Sequence, residues 1–436
     1  MPSEHDLTIG LARGQSQPGK GGRDGREFGA YVGLDWGDQA HTAAVWDVGA
    51  QRRTEKRIEH TPAALHEWVA QLRSIGHGGR VAVAIEQSRG AVFDALSGYD
   101  FLTLYPINPR SAARYREAFR PSNAKDDPTD ADSLLEMLRK HGESLRPFVA
   151  DDACTRSLRL LTEDRRELVD QRTAHVQRLT DRLKAYFPQA LTWAGGLTSV
   201  QACEFLEHWP TLDAIKRARP STVRAFYRQH RHSEASIDQT LKAVRSAMSL
   251  HRNQPIITAA VMMVRSEVAQ IRALTASITE YERQIAATFA EHPDAPIFAS
   301  FPGAGAQLAP RLAAAFGTNR DRYPGAVDMS TLSGIAPVLR RSGKSVIVQM
   351  RWACPKFMRQ TFHEFARVSI GQSAWARAFY HQQRQRGHSR HQAIRTLAYR
   401  WIRVLHACWK NRTAYDEKKY LQQLARRGSP LAALAA

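Results

Sequence analysis

The hydrophobic positions of this chain change their period along its length, and each change marks an element. Residues 30–37 (AYVGLDWG) form a short apolar run ending in Asp, Trp and Gly, and residues 41–48 (HTAAVWDV) form another. Residues 52–59 alternate, so three strands joined by short links are expected, as in an antiparallel meander. Thr61 then precedes Leu65, Trp68, Val69 and Leu72, which predicts an N-capped amphipathic helix. Residues 80–86 (RVAVAIE) are almost continuously apolar, as strands covered on both faces are. A helix over 91–96, another buried strand over 101–107 and two helices ending near His141 complete the region. Three meander strands followed by alternating helix and strand is the order of an RNase H-like α/β fold.

From 151 to 293 the period is helical. Val176, Leu179, Leu183 and Tyr186 step by three or four, as do Val264, Val268, Ile271, Leu274, Ile278, Tyr281 and Ile285. Such stripes suit antiparallel helical arms, a coiled-coil interface or an ordinary helix bundle. Pro210, Pro220 and Pro255 divide the region into several helices. Past 296 the chain again reads as mostly helical, with one Gly- and Ser-containing loop around Ser342. Phe301-Pro302-Gly303-Ala304-Gly305 precedes an apolar helix over 308–316. That turn is either a simple connection or a phosphate-docking helix N-terminus built on Gly303 and Gly305. Ser389 is expected to cap a helix with Ile394, Leu397, Trp401, Leu405 and Cys408 inward. Its other face carries Arg390, Arg395, Arg400 and Arg403, suited to a nucleic-acid backbone. The expected organisation is a basic tail (1–28), an α/β domain (29–150), a helical, coiled-coil or oligomerising region (151–295), a mostly α domain (296–425) and a short tail (426–436).

Composition narrows the function. Lys and Arg number 62 against 42 Asp and Glu, a net charge of +20, and such a surface attracts polyanions, nucleic acid foremost. The four cysteines, Cys154, Cys203, Cys354 and Cys408, form no CxxC pair, so neither a disulfide framework nor a cysteine zinc site is expected and a reducing cytoplasm fits. His230 with His232 and His388 with His391 have no further partners at ligand spacing. No stretch approaches the ~18 apolar residues of a membrane span, and the first residues are rich in Gly, Arg, Gln and Ser, unlike a signal peptide.

Four acids stand at positions where such a fold could gather them. Asp35 ends the first strand and Glu86 the fourth, and these strands are neighbours in an RNase H-like sheet. Asp127 and Asp130 are three apart, hence on one helical face, with Pro128 suited to a helix start. Converging carboxylates repel, and a hard divalent cation such as Mg²⁺ resolves that repulsion; a pair of such ions activates one oxygen and stabilises another. The bland alternatives are a turn residue at Asp35 and a helix cap at Asp127. Glu86 is harder to explain away, since an unpaired buried carboxylate is costly. Asp126 and Asp132 are neighbouring acids that could replace either member of the helical pair.

These segments together resemble the DEDD-motif insertion-sequence transposases described as bridge-RNA-guided recombinases. Gly33-Leu34-Asp35, Glu86, Ile107-Asn108-Pro109 and Lys125-Asp126-Asp127-Pro128-Thr129-Asp130-Ala131 are similar to that family's RuvC-like half. Phe301-Pro302-Gly303-Ala304-Gly305, Leu332-Ser333-Gly334-Ile335-Ala336-Pro337, Arg341-Ser342-Gly343 and Trp375-Ala376-Arg377-Ala378-Phe379 are similar to its C-terminal half. The chain departs from the family's usual residues at Gln87-Ser88-Arg89-Gly90, at Asp126 and after Arg351. The resemblance implies a Mg²⁺-binding tetrad of Asp35, Glu86, Asp127 and Asp130, and a nucleophilic Ser342 that forms a covalent phosphoserine with DNA. It implies strand exchange between donor and target DNA, guided by a structured noncoding RNA, in a homo-oligomer (dimer or tetramer) in the bacterial cytoplasm and with no membrane partner. Nucleic-acid contacts are expected at Lys125, Gly303, Gly305, Arg340, Arg341, Lys344, Arg351, Lys356, Arg359 and Arg395. The alternatives are a RuvC-like metal-dependent nuclease or junction resolvase, which would need the acids and not Ser342, and a non-catalytic nucleic-acid-binding protein.

Overall fold

The structure, a computed structural model, describes residues 28–86, 90–119, 127–250, 252–342, 345–429 and 431; the side chains of residues 127, 340, 345 and 346 are outside that description. The expected N-terminal tail therefore lies outside the described residues, except that its last residue, Phe28, already begins a strand. The chain forms two compact units, 1–150 and 151–436.

The first unit is a mixed α/β sheet with helices on both faces. Strands β1 (Phe28–Asp35), β2 (Ala40–Asp47) and β3 (Arg52–Glu59) are followed by helix α1 (Pro62–Ile75), β4 (Arg80–Ile85), α2 (Ala91–Leu96), β5 (Leu102–Pro106), α3 (Pro109–Phe119) and α4 (Asp127–His141). The sheet order is β3-β2-β1-β4-β5. The first three strands pair antiparallel, whereas β1, β4 and β5 run parallel. The Thr61 side chain accepts the Ala64 N–H and starts α1. Trp68 and Leu72 of α1 and Phe93 of α2 pack against Val32, Leu34, Val83 and Ile85 on one face of the sheet. The other face meets Leu134, Leu135 and Leu138 of α4. Alternation along β1 sends Leu34 to the first face and Gly33 to the second.

The second unit is almost wholly helical. Its long helices α5 (Ala153–Tyr186) and, later in the chain, α11 (Gln254–Glu291) enclose α6 (Ala190–Trp193), α7 (Val200–His208), α8 (Leu212–Arg217), α9 (Pro220–Gln229) and α10 (Glu234–Ser246). The long pair is antiparallel: Arg165 bonds Glu282, Arg172 bonds Thr275 and Arg178 bonds Glu267. One core, around Leu183, Phe187, Phe205, Tyr227 and Ile271, joins the far ends of α5 and α11 to the five short helices. The inner ends join a different core, around Leu158, Ile285, Phe316, Phe365, Trp401 and Trp409. The predicted apolar stripes thus have partners within the chain, since Leu179, Leu183, Val264, Val268, Ile271, Ile278 and Ile285 are all buried.

That other core is built from α12 (Ala295–Ala299), α13 (Gly305–Phe316), α14 (Ala326–Leu332), α15 (Lys356–Gln372), α16 (Ala374–Gln385), α17 (Arg390–Lys410) and α18 (Glu417–Arg426). Ser389 caps α17 in a capping box with Gln392. One expectation is corrected. The segment around Ser342 is a hairpin, not a loop between helices: β6 (Val338–Ser342) pairs antiparallel with β7 (Ser345–Gln349). Its β-branched residues at 338 and 346–348 favour strands, but Arg340 and Arg341 interrupt the apolar alternation that would have signalled one. Among the described residues no helix is long and apolar enough to cross a membrane.

Candidate active site

Asp35 and Glu86 stand at the carboxyl ends of β1 and β4. Leu34 pairs with Ile85 in parallel register, so the next residues, Asp35 and Glu86, leave adjacent strands side by side. Asp35 alternates to the face that α4 covers. Gly33 explains how closely α4 lies there: a Cβ on Gly33 would collide with the Ala131 carbonyl and stand 3.0 Å from the Leu135 Cα. The Arg139 guanidinium at the other end of α4 rests 3.7 Å from the centre of the Trp46 ring, on the strand beside Tyr31. The helix therefore runs antiparallel to β1, and its first turn, with Asp127 and Asp130, points toward the Asp35 end. Asp127 is the first residue of α4; its side chain is outside the described residues.

A guanidinium stands among these acids. Arg116 of α3 donates to Asp130, and both side chains are largely buried. The Asp130 bond foremost, with the charges of Asp130, Glu86 and Glu117, holds the Arg116 pKa above its ordinary value against the opposing effect of burial. Arg116 thus pairs with Asp130 and also feels the negative charge of Glu86. Asp132 faces elsewhere, bonding Arg53 of β3 at 2.6 Å. Among the described residues no three His, Cys, Asp or Glu side chains close to metal-holding distance.

Beside this end of the sheet is a cleft of about 100 Å³ lined by Trp36, Gly37, Ile85, Gly90 and His60. The Gly37 N–H donates to Nδ1 of the fully buried His41, and Nε2 of His41 lies 2.9 Å from Nδ1 of His60. With His41 Nδ1 accepting, its Nε2–H is the donor to His60, which leaves His60 a donor at its own Nε2. Burial foremost, with the electrostatic effect of the neighbouring His60, lowers the His41 pKa below the ordinary imidazole value.

In the second unit Ser342 ends β6, exposed and paired with Ser345 across the hairpin. Arg341 beside it is also exposed. The hairpin presents Leu339, Ile347 and Val348 to solvent, each more than half exposed, and Trp352 just beyond it is 70% exposed.

Two family models match the chain, and together they take in more than half of it. A DEDD transposase model covers residues 32–188, from β1 through the whole of α5. A transposase model for the IS116/IS110/IS902 family covers residues 295–381, from α12 through the Ser342 hairpin into α16. The chain belongs to the DEDD-motif insertion-sequence transposase family. A candidate mini-circle transposase for IS117 from Streptomyces coelicolor is 27% identical, over 89% of this chain and 96% of its own length. The uncharacterised 42 kDa protein of insertion element IS900 from Mycobacterium paratuberculosis is 28% identical, over 88% and 96%. The uncharacterised 43.6 kDa protein of IS110, from Streptomyces coelicolor, is 25% identical over 91% and 97%.

The basic positions expected of this family member differ in setting. Lys125 and Lys344, like Asp126, lie outside the described residues, as does the Arg340 side chain. Arg351 follows β7, half-buried, and its Nε has no hydrogen-bond partner among the described residues. Its carbonyl accepts from Arg359 Nη1 at 3.3 Å, and Lys356 stands exposed at the start of α15. Arg395 is half-buried on α17. Gly303 adopts φ +80°, and a Cβ there would stand 2.9 Å from Val368 Cγ1, so close packing of the turn on α15 accounts for this glycine. Gly305, at φ +52°, faces open space at the start of α13.

Sequence reasoning missed Arg116, Gly33's packing role and the His41–His60 pair. Arg116 carried no signal, being one arginine of a very basic chain. The histidines are 19 residues apart and meet only because β2 pairs with β3 so that His41 faces Ile58, two residues before His60.

Proposed function

We propose that this transposase cleaves and rejoins DNA through a Mg²⁺ site formed by Asp35, Glu86, Asp127 and Asp130 in an RNase H-like (RuvC-like) domain, with Ser342 as nucleophile. The observation that carries the metal half is the pairing of Leu34 with Ile85, which brings Asp35 and Glu86 to adjacent strand ends beside the first turn of α4. The strand order β3-β2-β1-β4-β5, antiparallel then parallel, supports the RNase H-like reading. The donors are all hard carboxylate oxygens, the set Mg²⁺ takes, and Arg116 shows that the position favours positive charge. When bound, Mg²⁺ would supply charge neutralisation at the scissile phosphate.

The chain's own residues divide the remaining work. The Ser342 hydroxyl attacks phosphorus: a serine O–P bond forms, one deoxyribose O–P bond breaks, and the hydroxyl proton is lost as the leaving sugar oxygen gains one. Attack by another DNA end on the phosphoserine reverses these bond changes and releases the serine. Arg341, exposed beside Ser342, offsets phosphate charge. We further propose a homo-oligomer that unites the acids and the serine at one phosphodiester, guided by a structured noncoding RNA; the net charge of +20 supports binding of both nucleic acids.

The test has two arms. In cells carrying the encoding DNA segment with its flanks, Asp35→Asn and Ser342→Ala should each abolish excision and reinsertion. The RNA copurifying with the chain should be one defined transcript from those flanks. Excision that survives Ser342→Ala would favour a metal-dependent nuclease, and random cellular RNA would remove the guide from the account.

A further inference from the structure

A groove of about 710 Å³ runs between α17 and α18 in the second unit, within the roughly 300–1,000 Å³ typical of ligand sites. Its walls carry Tyr399, Arg400 and Arg403 from α17, and Lys419, Tyr420 and Arg427 from the α18 side. Arg403 and Arg427 are exposed, and neither guanidinium has an ion-pair or hydrogen-bond partner among the described residues. Arg400 is fixed: its Nε donates to the Tyr420 hydroxyl at 3.4 Å, and its guanidinium lies 5.2 Å from the centre of the Phe379 ring. Lys419 Nζ is 3.8 Å from Asp416, the carboxylate in the lining. The adjacent Glu417 is turned away, accepting from the Ser373 hydroxyl and the Ala374 N–H. The groove therefore sets four cations and aromatic rings against one carboxylate.

Phosphates and base faces are the ligand chemistry that uses both features. Unpaired strands expose base faces to aromatic rings, whereas duplexes hide them inside the stack. We propose that the α17–α18 groove binds unpaired nucleic acid, with bases on Tyr399 and Tyr420 and phosphates on Arg403, Lys419 and Arg427. The site is independent of the acids and of Ser342. RNA and DNA share this chemistry, and the test separates them.

The full chain is titrated with fluorescein-labelled oligouridylate and oligothymidylate of about nine nucleotides, a length within the usual single-strand site sizes, and with a duplex of mixed sequence. Tyr399→Leu should weaken single-strand binding about fivefold or more, the loss expected for one stacking ring, and leave duplex binding unchanged. Arg403→Gln with Arg427→Gln should lower the slope of log affinity against log salt by about 1.4, two single-strand phosphate contacts' worth. Arg217→Gln with Arg219→Gln, at exposed positions on and beside α8, should leave that slope unaltered. A loss confined to one oligomer assigns the groove to RNA or to DNA, and an equal loss assigns it to either strand. Thermal melts verify that each variant folds, and the arginine pair, being exposed, decides the matter if Tyr399→Leu does not fold. An unchanged salt slope in the arginine double variant, or a duplex loss as large as the single-strand loss, overturns the proposal.

Discussion

The Ala131 carbonyl of α4 occupies the space that any side chain on Gly33 of β1 would need. The glycine thus lets α4, which begins at Asp127 and carries Asp130, lie directly against β1, the strand that Asp35 ends. Gly33→Ala should force α4 off the sheet, at a cost in the ~1–3 kcal/mol range of overpacked cores. A lower thermal midpoint for the first unit and loss of DNA cleavage are expected. A variant that melts and cleaves like the parent would show that α4 does not depend on this contact.

Arg116 already pairs with Asp130, so in the proposed site a cation would have to compete with its guanidinium for that carboxylate. Removing the guanidinium in Arg116→Gln should tighten Mg²⁺ binding about tenfold, near 1.4 kcal/mol, the scale of one neighbouring charge at intermediate dielectric. The readout is the rise in thermal midpoint with Mg²⁺ concentration, which should begin at lower concentration in the variant. If Arg116→Gln weakens the response, Arg116 organises the acids rather than competing for them.

Much of the fold was legible because its elements are periodic. The meander, the buried strands, the Thr61 and Ser389 caps and the helical stripes all follow from side-chain spacing and cap chemistry. The Ser342 hairpin was not, since Arg340 and Arg341 break its apolar pattern. The strand-end acids Asp35 and Glu86 could be placed because parallel neighbours in a known strand order bring their ends together. Arg116, His41 and His60 could not: their partners lie 14 and 19 residues away, and strand register and helix docking decide those meetings. The close fit of Gly33 to Ala131 was invisible for the same reason.

Asp152 caps α5 and ties it to the segment after α13. Burial alone would raise its pKa, but hydrogen bonds from the Thr155 hydroxyl, the Thr318 hydroxyl and the Thr155 N–H outweigh that and bring it down to about 2. Because the folded value lies below the unfolded one, the stabilisation is complete above about pH 4 and is lost as pH falls through about 2. Asp152→Asn should lower stability at neutral pH and flatten its dependence between those limits, as followed by urea denaturation. An unaltered acid slope would mean that the cap contributes nothing.

Whether Ser342 joins DNA covalently with the help of the acids is decided by trapping the protein on its DNA. The purified chain with its copurifying RNA is incubated with labelled DNA spanning the ends of its own element and Mg²⁺, then denatured and run on a denaturing gel. A DNA adduct of the protein should survive denaturation, map by mass spectrometry to Ser342, and be absent from Ser342→Ala, from Asp35→Asn and from samples with chelator. DNA cleavage at the parental rate by Ser342→Ala, with no adduct in any sample, would contradict covalent joining through Ser342.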